Sequence, residues 1–205
     1  MGKAVEGRAR QARAAVTFRR KKVYVDFDKV IAIDVHTHAE VSCWNPYDKY
    51  GEEYDRAADK YFRSDRRPTI DESIAYYRER KIGMVMFTVD AESFLGRRRI
   101  PNEEIAEAAQ KNPDLLIAFA SIDPHRGKMG AREARRLIEE HGVKGFKFHP
   151  TVQGFYAYDK IAWPIYEVIA EHKLPAIFHS GLCSARIASG SAARPVGSGL
   201  NGVAR

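Results

Sequence analysis

The sequence predicts an α/β fold, specifically an incomplete (β/α)8 barrel of the TIM type with about five βα units. Three observations support this prediction. Short, continuously apolar runs alternate with stretches of helical period. Each run ends in a polar corner that carries reactive side chains. Neither a G-x-G-x-x-G nor a G-x-x-x-x-G-K-[ST] motif follows any run, which removes the usual nucleotide-binding alternatives.

The apolar runs predict buried parallel strands, because continuous apolar character means that both faces of a strand are covered. They span residues 30–35, 83–89, 115–122, 143–148 and 175–178. Amphipathic stretches between them predict helices over residues 70–81, 102–111, 128–141 and 161–172. A closed eight-stranded barrel typically needs about 250 residues, and this chain has 205. We therefore expect about five strands.

The polar corners favour a barrel over a doubly wound sheet. They comprise residues 34–38, Asp90, residues 123–125, 147–150 and 179–181. In a (β/α) barrel, reactive residues from several strand ends converge on one face, whereas a doubly wound sheet concentrates them at one switch point.

Composition divides the chain into three parts. Residues 1–29 form a basic extension, residues 30–181 a partial barrel and residues 182–205 an atypical tail. The net charge of +7 does not favour nucleic-acid binding of the body, because the excess lies in the first 22 residues, whose only acid is Glu6. No apolar run approaches the roughly 18 residues of a membrane span. Cys43 and Cys183 lack disulfide or zinc spacing, which indicates a cytoplasmic protein.

The tail departs from the pattern of the body. Residues 182–205 contain no Asp, Glu, Lys or aromatic residue. We interpret this segment as a frameshifted or truncated reading frame, with a mobile native loop as the alternative. On the first interpretation, the 205-residue chain should bind metal weakly and show little catalysis.

Histidines at strand ends predict a metal site. His36 and His38 end the first apolar run, and residues i and i+2 of a strand project to the same face. Both imidazoles can therefore bind one cation through neutral nitrogens. His179 repeats this placement at the end of the last run.

Residues 33–38, 143–150 and 175–181 resemble the amidohydrolase-related family, in particular its branch of aminocarboxymuconate-semialdehyde decarboxylase-like enzymes. The resemblance implies a (β/α) barrel with one divalent metal, zinc being expected, on His36, His38 and His179. The family's Asp after the eighth strand and its assisting His after the sixth have no counterpart in this sequence. A homo-oligomer is compatible with the full-length family.

The expected chemistry is attack of a metal-activated water on a small carboxylate- or acyl-bearing substrate. Decarboxylation is the alternative within the family, and an inactive remnant or a binding module is the alternative from another class. Lys147 and His149 share a strand face and are the candidate catalytic residues, although His149 could instead only cap the strand end. Asp90 and Trp44 are candidate substrate-binding residues. Trp44 lies in the long loop of residues 39–69, which we expect to be a substrate lid or else a peripheral helical decoration.

Overall fold

Five parallel strands form the centre of the part of the chain that the structure describes. The computed structural model describes residues 25–46, 67–96 and 98–180, together with residues 56, 59, 60 and 63. The first 24 residues, most of the loop of residues 39–69 and the tail of residues 182–205 lie outside the described residues. The strands are β1 (Ala32–His38), β2 (Ile82–Phe87), β3 (Leu116–Ala118), β4 (Phe146–Phe148) and β5 (Ala176–Phe178).

Helices follow the strands as the amphipathic pattern predicts. They are α1 (Ile70–Glu79), α2 (Glu92–Leu95), α3 (Asn102–Lys111), α4 (Gly127–Glu139), α5 (Pro150–Gln153) and α6 (Trp163–Glu171), with 3-10 turns at Pro124–Arg126 and Lys160–Ala162. All of the predicted helices are confirmed. The four-residue helices α2 and α5 were not predicted, because a single turn is too short to show a period. Among the described residues, no helix has the length and apolar character needed to span a membrane.

The strands lie side by side in the same order as in the sequence. Strand β2 pairs in parallel with both β1 and β3, and β4 pairs in parallel with β5. Between β3 and β4, the N–H of Ala120 donates to the carbonyl of Gly145 at 2.9 Å, and the N–H of Lys147 donates to Ala120 at 2.7 Å. A doubly wound sheet would reverse its order at a switch point. The uninterrupted order therefore identifies part of a TIM barrel.

Apolar side chains cover both faces of this curved sheet. On strand β2, Met84 and Met86 belong to the outer cluster, which also holds side chains of helices α1, α3, α4 and α6. Val85 and Phe87 alternate with them and form an inner cluster with Phe119. This two-sided burial explains why the predicted strands are apolar at successive positions.

Helix α1 is anchored at both ends. Thr69 accepts a hydrogen bond from the backbone of Glu72, whose carboxylate in turn accepts one from the backbone of Thr69. This reciprocal capping box satisfies two of the free N–H groups at the helix start. Near its other end, Arg78 forms a 2.6 Å ion pair with Asp114.

Candidate active site

The two histidines of strand β1 face each other at the carboxyl end of the sheet. Their Nε2 atoms lie 3.2 Å apart. Both rings also contact the ring of Phe87 edge-on, with centroids 5.4 Å away for His36 and 4.9 Å for His38. Since Phe87 belongs to the inner cluster, the pair faces the inside of the barrel segment, as its i, i+2 spacing predicts.

Lys147 extends from strand β4 towards this pair. Its side chain is fully buried, with Nζ 3.4 Å from Nε2 of His36 and 4.9 Å from the centre of the Phe87 ring. Burial lowers the pKa of Lys147 below its ordinary value. The pKa of His36 is lowered as well, first by burial and then by the charges of Lys147 and His179. A lowered pKa favours the neutral imidazole, which is the form that binds a metal.

His149 and His179 form a second pair at the ends of strands β4 and β5. Their rings are stacked, with centroids 3.9 Å apart and an interplanar angle of 12°. Nδ1 of His149 lies 3.0 Å from the hydroxyl of Thr151. Burial lowers the pKa of His149 to about 3, and the charges of His179 and Lys147 act in the same direction. At neutral pH His149 is therefore an uncharged imidazole.

Across residues 25–46, 67–96 and 98–180, no group of three or more His, Cys, Asp or Glu side chains is placed to hold a metal ion. The structure brings His36 and His38 together, whereas His179 stacks on His149. The charges of His179 and His36 nevertheless influence each other. The assignment of His179 as the third ligand therefore stays a prediction.

Gln153 joins the corners that follow three strands, a role that the sequence analysis missed. This fully buried side chain accepts a 2.7 Å hydrogen bond from the N–H of His149. Its amide nitrogen donates to the carbonyls of Asp90 at 2.8 Å and Ile122 at 3.3 Å. Every strong hydrogen-bonding group of the side chain is thereby used. A single glutamine in a polar turn has no periodic signal that could have revealed this role.

Asp90 lies in a buried charge network beside Gln153. Its Oδ2 atom accepts a hydrogen bond from the N–H of Asp123 at 3.0 Å and lies 3.5 Å from Arg99 and 3.7 Å from Arg126. Burial raises the pKa of the carboxyl, while the charge of Arg99 opposes this shift. These contacts give Asp90 a role in holding the corner after β2. Its assignment to substrate binding stays a prediction.

Trp44 lies in the long loop of residues 39–69 and is held through its backbone N–H. Its N–H lies 3.1 Å from the hydroxyl of Ser42 and 3.3 Å from Oε1 of Glu104, and it donates to both. Glu104, on helix α3, also accepts a 2.6 Å hydrogen bond from Ser42. The residue as a whole is 55% exposed. A fixed backbone with an exposed aromatic ring is compatible with the predicted contact to substrate.

Comparison with protein families and solved structures gives concordant results. The Amidohydrolase family model matches residues 33–201. A variant of the 5-carboxyvanillate decarboxylase of Novosphingobium aromaticivorans, with bound manganese and 3-methoxy-4-hydroxy-5-nitrobenzoic acid, is 19% identical, with a TM-score of 0.51 over 72% of this chain and 51% of that chain. For an amidohydrolase II structure the identity is 15% and the TM-score 0.53, over 76% of this chain and 53% of that chain.

The 5-carboxyvanillate decarboxylase of Sphingomonas paucimobilis is 16% identical, with a TM-score of 0.51 over 76% of this chain and 53% of that chain. The chain therefore spans about half the length of these solved structures. At these identities the likeness shows a common fold, in agreement with the strand order and the alternation of strands and helices.

Proposed function

The chain belongs to the amidohydrolase family. From this premise we propose that it contributes histidine ligands to a metal-dependent active site. The substrate is a small molecule that bears a carboxylate or an acyl group. The observation that carries this proposal is the 3.2 Å separation of the Nε2 atoms of His36 and His38 at the carboxyl end of the sheet.

The histidine pair fits a divalent cation. Two imidazole nitrogens bound to one tetrahedral zinc ion at about 2.0 to 2.1 Å stand about 3.4 Å apart, close to the observed 3.2 Å. The lowered pKa of His36 keeps this donor neutral and able to bind. We propose His36, His38 and His179 as the protein ligands. Zinc and manganese are both candidates, since manganese is bound in a solved structure of similar fold.

Lys147 provides the basis for the proposed substrate class. A buried ammonium next to a metal site is a strong partner for an anion, because the surrounding protein screens their attraction less than water does. A substrate carboxylate would favour the charged form of Lys147, opposing the effect of burial on its pKa. The carboxylate would therefore be held beside the histidine pair, since Nζ lies 3.4 Å from Nε2 of His36.

Hydrolysis is the first candidate reaction. When bound, a divalent cation acidifies a coordinated water to a pKa of roughly 7 and polarises a nearby carbonyl. Lys147 would orient the substrate through its carboxylate, and the Phe87 ring would exclude water from one side of the site. His149, neutral at pH 7, would supply a hydrogen-bonding ring next to the reacting group.

Decarboxylation is the second candidate, and the environment of His149 favours it. A general base works best when its pKa lies near the operating pH, whereas the pKa of His149 is about 3. Loss of carbon dioxide requires no such base. It requires a bound carboxylate and groups that stabilise the remaining negative charge, roles that suit Lys147 and a divalent metal. Water would supply the proton taken up by the carbon that loses the carboxyl group.

Metal titration of the purified full chain tests the proposal. Calorimetry with Zn²⁺ and with Mn²⁺ should give one site, with affinity reduced at least tenfold in His36→Gln and in His38→Gln, because each loses one ligand. His141→Gln is the matched control, since His141 contacts Arg136 away from the site. Equal affinities of all these proteins would contradict the proposal. A chain that binds no metal would favour the inactive remnant or binding module.

The two reactions are distinguished by their products. With a panel of small aromatic and aliphatic carboxylates labelled at the carboxyl carbon, decarboxylation releases labelled carbon dioxide. Hydrolysis of acyl substrates in ¹⁸O water instead places the label in the product acid. A metal-loaded chain that gives neither product would favour the inactive remnant or binding module over both candidate reactions.

A cytoplasmic location is also proposed, on the basis of cysteine usage. Cys43 and Cys183 are the only cysteines of the sequence, and their separation in it does not suggest a structural disulfide. Cys43 is a free, exposed thiol. Fractionation of cells that express the tagged chain tests the location, and recovery of the chain in an oxidising compartment would contradict it.

A further inference from the structure

Strand β1 contains one more residue than its partner between two points of their register. Asp34 is opposite Met84, and Thr37 is opposite Met86. Three steps along β1 therefore correspond to two steps along β2. Such an insertion is a β-bulge, a feature that redirects side chains and is common next to active sites.

The bulge changes which side chains of β1 share a face. In a regular strand, residues separated by three positions point to opposite faces. Asp34 and Thr37 are separated by three positions, yet both contact the hydroxyl of Tyr77 on helix α1. The rings of His36 and His38 contact Phe87 on the inner side.

Tyr77 is at the centre of these contacts. Its hydroxyl donates a 2.7 Å hydrogen bond to Oδ2 of Asp34 and accepts a 3.5 Å hydrogen bond from Thr37. The other carboxylate oxygen of Asp34 accepts a 2.9 Å hydrogen bond from the N–H of His36. A continuous path of hydrogen bonds thus connects a helix with a capped first turn to the backbone of a proposed metal ligand.

We propose that Tyr77 is a positioning residue that holds the β1 bulge in register and thereby keeps His36 and His38 turned towards the inside of the sheet. Its effect on metal binding rests on the function proposed above, whereas its effect on the backbone does not. The sequence gives no sign of this role, because Tyr77 is one of two adjacent tyrosines in an amphipathic helix.

The physical reason is the sensitivity of a strand to register. A shift by one residue moves each side chain of a strand to the opposite face, so a bulge held in only one of its possible positions defines where the histidines point. Without the Tyr77 hydroxyl, Oδ2 of Asp34 loses its donor from helix α1. The carboxylate is then free to rotate, and its hydrogen bond to the N–H of His36 weakens.

The test compares Tyr77→Phe with Tyr76→Phe in the full chain. Both variants lose one hydroxyl from neighbouring positions of α1. The Tyr76 ring is 41% exposed and lies 3.6 Å from the guanidinium of Arg80. Two quantities are measured: the hydrogen-exchange rate of the His36 amide without metal, and the dissociation constants for Mn²⁺ and Zn²⁺ by calorimetry.

In Tyr77→Phe, the His36 amide should exchange at least tenfold faster than in the parent chain. Both metals should bind about 10 to 100-fold more weakly, which is the usual loss when a side chain that orients a metal ligand is removed. Tyr76→Phe should leave both quantities unchanged.

If Tyr77→Phe leaves the exchange rate at its parental value, the proposal is wrong. If exchange accelerates while the parent chain binds no metal, Tyr77 positions the strand and it is the proposed function that fails. If the parent chain binds metal and Tyr77→Phe binds it equally well, the positioning of the ligands is disproved.

Discussion

Nζ of Lys147 lies 3.4 Å from Nε2 of His36, the nitrogen that also faces His38. A metal ion held by His36 would lie near this ammonium and be repelled by it, whereas an anion in contact with both would be attracted by both. The arrangement thus suits a site in which metal and substrate carboxylate bind together. Metal binding and carboxylate binding can therefore be distinguished by experiment, because a substitution of Lys147 is expected to affect them in opposite directions.

Lys147→Met should weaken carboxylate binding and leave metal binding at least as strong as in the parent chain. Methionine keeps much of the volume of the buried stem while removing the charge, so the core remains filled. Loss of one charge-assisted hydrogen bond of about 2 kcal/mol corresponds to roughly a thirtyfold weaker carboxylate complex. Competition calorimetry with benzoate on the metal-loaded chain measures this effect.

The exposed neighbour Lys144 provides the control for this substitution, because it lies on the same segment. Lys144→Met should bind both benzoate and metal as the parent chain does. If Lys147→Met binds metal at least tenfold more weakly, Lys147 supports the metal rather than the substrate, and the assignment of the carboxylate to this side chain is wrong.

His149 should make the folded chain sensitive to acid. Burial lowers its pKa from 6.5 to about 3 in the folded state, so between these values the unfolded chain binds more protons than the folded chain. Stability contributed by neutral His149 is complete above pH 6.5 and decreases as the pH falls through this window. Between pH 6.5 and about 5, the parent chain should lose about 1.5 kcal/mol more than His149→Gln.

Urea unfolding at several pH values measures this difference. Parallel pH profiles for the parent chain and His149→Gln would contradict the burial of a neutral imidazole at this position.

Much of the fold follows from local patterns in the sequence. Runs that are apolar at successive positions predict the buried strands, and the helical period predicts α1, α3, α4 and α6. The strand boundaries shift: β1 begins at Ala32 and continues through His38, because Thr37 and His38 still pair with Met86 and Phe87 of β2. The proximity of His36 and His38 is predicted by their i, i+2 spacing.

Features that depend on long-range contacts were not predictable in this way. Gln153 contacts carbonyls that are 31 and 63 positions away in the sequence, and no local pattern specifies them. The hydrogen bond from Tyr77 to Asp34 spans 43 positions. The stacking of His149 on His179 likewise depends on the register between β4 and β5.

Gln153→Leu should destabilise the chain by about 2 to 4 kcal/mol. The substitution leaves the buried N–H of His149 without its acceptor and the carbonyl of Asp90 without one donor, and each unsatisfied buried group costs about 1 to 3 kcal/mol. Gln110→Leu removes an exposed amide that donates to His141 and should cost less than about 1 kcal/mol. Urea unfolding compares the two, and equal losses would show that Gln153 does not hold the corners together.

Trp44 should report substrate binding by its fluorescence. The sequence contains two tryptophans, so Trp163→Phe leaves Trp44 as the only one. The residue as a whole is 55% exposed, and a carboxylate substrate that packs against the ring would replace water at its surface. The emission of the metal-loaded variant should therefore shift to shorter wavelength as benzoate or a bulkier aromatic carboxylate is added.

The reciprocal variant, Trp44→Phe, retains only Trp163 and should show no shift over the same titration. Glu104→Leu extends this test, because it removes the carboxylate that accepts hydrogen bonds from the Ser42 hydroxyl and the Trp44 N–H. In the Trp163→Phe background it should reduce the shift and weaken aromatic carboxylate binding, since the backbone of Trp44 is no longer fixed before the ligand binds. If the Trp44 emission does not shift with any carboxylate, although calorimetry shows that those carboxylates bind, the indole lies outside the substrate site. The loop would then have a peripheral role.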